Sequence, residues 1–216
     1  MQQELHTEKR FATPGSHVLS PGSYLDLYIT ESSRAFATID RVQLDLAVFI
    51  LTDAIEKDAT IFICGNGGSA AIANHMVCDH QKGLSSDTRL RPKVISLSSN
   101  VEVMTAVSND IGFADVFAFP LRLHARSGDV LITISSSGNS ENIVRALDAA
   151  SALKMKTIAL TGFDGGRSRH MADAAIHVTA WNYGVVEDVH QACMHVLAQF
   201  LRHRLIPQEM LTRCQF

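Results

Sequence analysis

Val130-Leu131-Ile132-Thr133-Ile134 runs straight into Ser135-Ser136-Ser137-Gly138-Asn139-Ser140, and a helical pattern follows over residues 141–153. The apolar run reads as a strand, and its lack of polar alternation predicts burial on both faces. Small residues end the strand, and the restart as a helix aims free backbone N–H groups at one spot. The helix dipole and the hydroxyls favour an anion there. The same order occurs earlier: Ile61-Phe62-Ile63-Cys64 leads into Gly65-Asn66-Gly67-Gly68-Ser69, then a helix from residue 70 to 82. One such turn often only reverses the chain. Two of them, each closing a strand, predict a shared pocket for a phosphorylated ligand.

Working outward, strands are predicted over residues 60–64, 93–97, 129–134, 156–161 and 174–178. Helices are predicted over 69–82, 101–109, 140–153, 167–172 and 184–204, with a further one over 113–125 interrupted at Pro120. Residues 23–57 carry Leu25, Tyr28, Ile29, Phe36, Ile39, Val42, Leu46, Phe49 and Ile50 at helical spacing, as two helices or one bent one. Alternating strands and helices with continuous apolar strands define an α/β fold. The expected form is a parallel five-stranded sheet flanked by helices, a flavodoxin-like three-layer sandwich with N-terminal helices and right-handed crossovers. In such sheets ligands sit at the carboxyl ends of the strands, where both turns lie. Residues 1–20 are polar and read as an N-terminal arm; residues 21–216 read as one domain.

The 216 residues are 46% apolar and 19% charged, enough to bury one core. A formal net charge of -3 without a basic stripe argues against nucleic acid as a ligand. No apolar run reaches the roughly 20 residues that span a bilayer. The start, Met1-Gln2-Gln3-Glu4, lacks a signal pattern. The four cysteines show no CxxC spacing and read as reduced thiols of a cytoplasmic protein.

In the helix after the first turn, His75 and Asp79 stand four apart and share a face. The last helix carries Glu187, Asp188, His190, Gln191 and His195, with Glu187 and His195 about two turns apart. Imidazole with carboxylate suits a divalent transition ion such as zinc. A solvated helix face carries the same residues for no such reason, but these lie within apolar helices, where a buried charge needs a partner. Elsewhere His80 reads as a surface residue and His177 as a strand end. His190 reads equally as a packing residue or a ligand. Trp181 and Tyr183 suit either a neighbouring subunit or the pocket wall.

Several stretches together resemble the sugar isomerase (SIS) domain family and, within it, the phosphoheptose isomerases. They are Cys64-Gly65-Asn66-Gly67-Gly68-Ser69 with a histidine six residues on, Ser108-Asn109-Asp110-Ile111-Gly112-Phe113, Gly128-Asp129-Val130-Leu131, residues 134–140, Leu160-Thr161-Gly162-Phe163-Asp164-Gly165-Gly166, and the helix from Glu187 to His195. The resemblance implies that Ser135, Ser136, Ser137 and Ser140 grip a sugar phosphate. It implies that Asn66, Gly67, Gly68, Ser69, Asn109 and Asp110 contact the sugar chain. Its metal and acid/base set falls on His75, Asp79, Glu187 and His195, with Asp79 and His195 moving protons and a divalent ion, zinc by ligand type, holding the oxygens. Glu187 is also placed among the substrate contacts. The implied activity is an aldose–ketose isomerisation of sedoheptulose 7-phosphate to a D-glycero-D-manno-heptose 7-phosphate-type product, for heptose biosynthesis, in a homotetramer whose assembly surface is the helical segment 23–57.

The chain departs from that pattern at three places. The family has Glu at Asp79, Gln at Glu187, and an arginine about where Lys82-Gly83 stand. A carboxylate one methylene shorter retreats by about 1.5 Å, and misplacement on the 1 Å scale costs about 100-fold in a proton transfer. Alternative readings are therefore an isomerase of another sugar phosphate, or a non-catalytic SIS module that senses phosphosugars or binds a protein.

Overall fold

In a computed structural model, residues 20–86, 88–207 and 209 are described. The N-terminal arm, residues 1–20, lies outside them except for Ser20, which caps the first helix. The chain begins with α1 (Pro21–Ala37) and α2 (Arg41–Glu56), so the segment 23–57 is two helices and not one bent one. Ser20 and Ser23 form a reciprocal cap on α1, with Pro21 in the first turn, where its missing N–H is not needed.

The sheet follows: β1 (Thr60–Gly65), α3 (Gly68–Cys78), a π-helical turn over Asp79–Leu84, β2 (Lys93–Ser96) and α4 (Val101–Asp110). Next come a 3-10 turn at Phe113–Asp115, α5 (Ala118–His124), β3 (Val130–Ser135), α6 (Glu141–Ala152), β4 (Lys156–Thr161), α7 (Gly166–Met171), β5 (Ala174–His177) and α8 (Tyr183–Leu205). All pairings are parallel, in the order β2-β1-β3-β4-β5. The order reverses direction between β1 and β3, and the loops after those two strands are the two small-residue turns.

Every residue of β3 is buried, and all of β1 beyond Thr60. Ile61, Ile63, Ile132 and Ile134 face a core shared with Leu51 of α2, Met76 of α3 and Leu197 of α8. Phe62, Cys64 and Leu131 face the other, with Val107 of α4, Leu121 of α5 and Ile143 of α6. This is the three-layer sandwich read from the uninterrupted apolar strands. The region 113–125 breaks before Pro120 and not at it. Pro120 is the third residue of α5, among the N–H groups that a helix start leaves without an internal partner. His80 is a second correction: it is fully buried, with Nδ1 3.1 Å from the Met76 carbonyl, and is no surface residue. Burial holds its imidazole down at about pKa 4. His177 does end β5, and His190 is fully buried in α8 as a packing residue.

Candidate active site

The serine loop is folded by its own amides. Gly138, at φ 63°, donates its N–H to the Ser135 carbonyl at 3.1 Å and lies 3.2 Å from Ser135 Oγ. Asn139 N–H reaches Ser137 Oγ at 3.3 Å. A Cβ on Gly138 would strike the Gly165 carbonyl, so only glycine lets these two loops touch. α7 ties the loop down: Ser168 donates from N (3.0 Å) and Oγ (2.8 Å) to the Gly138 carbonyl. Two hydroxyls are left over. Ser136 Oγ is buried with no hydrogen-bond partner, and Ser140, the N-cap of α6, makes no side-chain cap. A buried hydroxyl without a partner is costly unless something arrives to bond it.

These serines line a cleft together with Asn66, Ser69, Tyr183 and Glu187. The first loop meets the second through an amide pair: Asn66 Nδ2 donates to Asn142 Oδ1 at 3.0 Å, and Asn142 Nδ2 returns a bond to Asn66 Oδ1 at 2.8 Å. Asn142 is buried in the first turn of α6 and bridges the two loops at the switch point. The sequence reading missed it, since its partner lies 76 residues away and no local pattern marks it. Tyr183 is now placed on the cleft wall. Trp181 stacks on Phe163 with ring centroids 5.5 Å apart.

Glu187 comes to this cleft from α8. Its carboxylate occupies the space that a Cβ on Gly68 would take, at the first residue of α3. Burial, with the neighbouring charge of Asp188, raises its pKa above the usual carboxylate value. Asn109 and Asp110 are exposed at the end of α4, bonded to each other at 2.7 Å, and are not among the cleft's lining residues. Gly67, at φ 55°, is the exposed turn residue that starts α3.

His75, Asp79 and His195 form a separate cluster with ligand atoms all within 4.8 Å of one another. Asp79 Oδ1 lies 3.3 Å from His75 Nε2, and Oδ2 lies 2.9 Å from His195 Nδ1. The imidazoles meet edge to face at 5.0 Å. Gln191 Nε2 stands 3.0 Å from His195 Nε2. Asp79 owes its place to the π turn that it opens. The buried Arg202 of α8 donates to the Gly83 and Ser86 carbonyls, the latter at 3.0 Å, and gathers that turn against α8. The cluster corrects the four-ligand expectation: Glu187 is not part of it. Eight residues advance a helix by about 12 Å and rotate it about 80° off the starting face, so Glu187 reaches Gly68 while His195 reaches Asp79.

The donor set suits a divalent ion. Zinc takes two imidazoles and a carboxylate at about 2.0–2.2 Å, with one position left open. Ligand atoms around such an ion stand roughly 3.3 Å apart, a spacing already present between His75 and Asp79. Asp79 Oδ2 is buried without a well-aligned hydrogen bond, as an ion-binding oxygen would be.

A parallel sheet that opens a hydroxyl-lined loop at its switch point, beside an imidazole–carboxylate cluster, is the frame of a protein that handles phosphosugars. The SIS domain model matches residues 24–162, and the chain belongs to the SIS domain family. Within that family it is similar to the phosphoheptose isomerases. That of Helicobacter pylori is 36% identical over 168 residues, covering 74% of this chain and 83% of the relative. That of Vibrio parahaemolyticus is 34% identical over 191 residues, covering 84% and 99%. A solved phosphoheptose isomerase from Francisella tularensis superposes with a TM-score of 0.78 at 29% identity, over 84% of this chain and 96% of that one.

Proposed function

We propose that this chain is an aldose–ketose isomerase that converts sedoheptulose 7-phosphate to a D-glycero-D-manno-heptose 7-phosphate-type product for heptose biosynthesis. The observation that carries the reading is the serine loop with its two uncommitted hydroxyls, in a chain whose relatives are phosphoheptose isomerases. Ser136 and Ser140, with the amides at the start of α6, receive the phosphate, and Ser135 and Ser137 shape the loop. Asn66, Ser69 and Glu187 meet the sugar hydroxyls from the first-loop side; Gly67 and Gly68 let the backbone come close. Asn109 and Asp110, which the resemblance assigns to the sugar chain, are not among the residues that line this cleft.

The reaction moves a proton between adjacent carbons through an enediol, which requires an acid and a base in reach of both. Asp79 is assigned as base and His195 as acid; His195 Nδ1 lies 2.9 Å from Asp79 Oδ2 and its Nε2 3.0 Å from Gln191 Nε2. His75, Asp79 and His195 are the residues that would hold zinc, whose chemistry is to polarise the two substrate oxygens. The exposed apolar residues of the first two helices, among them Leu25, Ile29, Val42 and Phe49, suit a homotetramer interface. Residues 21–216 act as one SIS domain. No helix among the described residues is long and apolar enough to cross a membrane. The free Cys64, Cys78 and Cys193 suit the cytoplasm.

Incubating zinc-loaded protein with sedoheptulose 7-phosphate and following the product by NMR tests the activity. Asp79→Asn should lower turnover by about 100-fold or more. Wild type that leaves the sugar unchanged would end the isomerase reading and leave a phosphosugar-binding module. Metal analysis of wild type and His75→Ala tests the ion separately: the reading expects about one zinc in the first and its loss in the second. Light scattering that gave a single 23.6 kDa species at micromolar concentration would end the tetramer.

A further inference from the structure

Glu187 reaches the cleft without a hydrogen bond or ion pair of its own among the described residues, so its position depends on where α8 begins. That beginning is held from outside. Asn182 caps α8, its Oδ1 accepting from Gly184 N at 2.9 Å and from Val185 N at 3.3 Å. Tyr28 of α1 donates its hydroxyl to Asp188 Oδ2 at 2.7 Å. The same hydroxyl oxygen stands 3.1 Å from where a Cβ on Gly184 would be, so a side chain at that point of α8 would press on the Tyr28 hydroxyl. Tyr28 also closes a hollow with Tyr24, Asn182 and Val185. One phenol therefore touches both ends of the short span, Gly184 to Asp188, that carries Glu187. Burial and the Asp188 carboxylate raise the Tyr28 pKa, which keeps the hydroxyl a donor.

Asp188 follows Glu187 directly, and successive helix residues point about 100° apart. A bond that fixes Asp188 on the α1 side thus sets the rotation at which Glu187 enters the cleft on the other. We infer that Tyr28 is a positioning residue: by holding Asp188 it sets the height and rotation of the first turns of α8, and so the place where the Glu187 carboxylate meets the sugar. The inference rests on the reading of this cleft as the site that takes the sugar phosphate. It also gives α1 a second task, beside presenting the exposed apolar residues Leu25 and Ile29.

A double-mutant cycle tests it, with kcat and KM on sedoheptulose 7-phosphate for wild type, Tyr28→Phe, Glu187→Gln and the double variant. Tyr28→Phe keeps the ring packing and loses only the bond, which should lower kcat/KM about three- to tenfold. In the Glu187→Gln background the same change should cost less than about twofold, because the group it positions is gone. Asp188→Asn, which weakens the bond from the other side, should reproduce the Tyr28→Phe effect, with thermal unfolding used to confirm that each variant is folded. Equal costs in both backgrounds, or no cost in wild type, would overturn the inference, since a general structural role predicts additivity. If wild type binds the sugar phosphate but does not turn it over, the isomerase reading fails alone. The cycle is then read from calorimetric affinities, with the same two outcomes. If wild type shows no binding, both fall.

Discussion

The two small-residue loops look alike in sequence and end in different states. Both follow a buried strand, both start a helix, and both lie at the switch point between β1 and β3. At the start of α3 a carboxylate of the chain itself, Glu187, already stands against Gly68. At the start of α6 no side chain caps the helix, and Ser136 Oγ is buried without a partner. A helix N-terminus attracts one anion well, and a second anion beside the first is repelled. The first loop therefore has its negative charge built in, and the second is left for the phosphate. Two anion-shaped turns make one phosphate site with a carboxylate opposite, which orients a ligand carrying phosphate at one end and hydroxyls at the other.

The largest expected effect comes from removing what distinguishes the serine loop. Ser136→Ala with Ser140→Ala deletes two hydrogen bonds to a charged group, each worth about 1.5–3 kcal/mol. The affinity for sedoheptulose 7-phosphate, measured by calorimetry, should fall about 100-fold or more on that account. An unchanged affinity would mean that the phosphate goes elsewhere and that the contrast between the loops is empty.

A smaller effect should follow from forcing the first loop to give up its carboxylate. Gly68→Ala puts a methyl group on the Glu187 carboxylate, which must then leave its place. Catalytic efficiency should fall about tenfold or more, as displacement on the 1 Å scale does. Affinity for inorganic phosphate should stay within about twofold, because the open loop is untouched; a parallel loss would show that the two loops are one site. Conversely, Ser136→Ala alone should leave the ligand-free protein as stable as wild type or slightly more so, within about 1 kcal/mol, since it removes a buried hydroxyl that bonds nothing. Thermal unfolding without ligand gives the value, and a clear loss would mean that the hydroxyl has a structural partner.

What the sequence let one read follows the same division between local and distant causes. Strands such as Ile61-Phe62-Ile63-Cys64 are legible because both faces are buried, so every position must be apolar and the run is visible without its neighbours. The loops are legible because glycine and serine are demanded locally by the turn. The π turn is not: Asp79-His80-Gln81-Lys82 continues an ordinary helical pattern, and the residue that gathers the turn, Arg202, is 119 positions from Gly83. The Asn66–Asn142 bridge hides for the same reason. Spacing placed His75 with Asp79 correctly, four residues being one turn. It failed for Glu187 and His195, where a small angular excess per turn accumulates over two turns and the rise carries the two side chains to different neighbours.

The smallest expected effect, and the finest probe of the contrast, is the dependence of stability on pH through Glu187. Burial first, and the Asp188 charge second, hold its pKa above the ordinary carboxylate value in the folded protein. A carboxyl group whose pKa is raised by folding binds its proton more tightly in the native state. It therefore adds no penalty at pH values below the unfolded value of about 4.3. The penalty grows as pH rises from there through the folded pKa, and is constant above it. Glu187→Gln removes the charge and with it that penalty. The variant should unfold at a slightly higher temperature than wild type at pH 7. The difference should shrink as pH falls through the carboxylate range and be lost at about pH 3.5. Thermal unfolding of both proteins across this range measures it. A difference that does not vary with pH would mean that the gain, if any, comes from packing against Gly68. A variant less stable at pH 7 than at pH 3.5, relative to wild type, would mean that the start of α3 stabilises the carboxylate by more than burial costs it. The first loop would then hold its own anion firmly, and the contrast with the open second loop would be sharper.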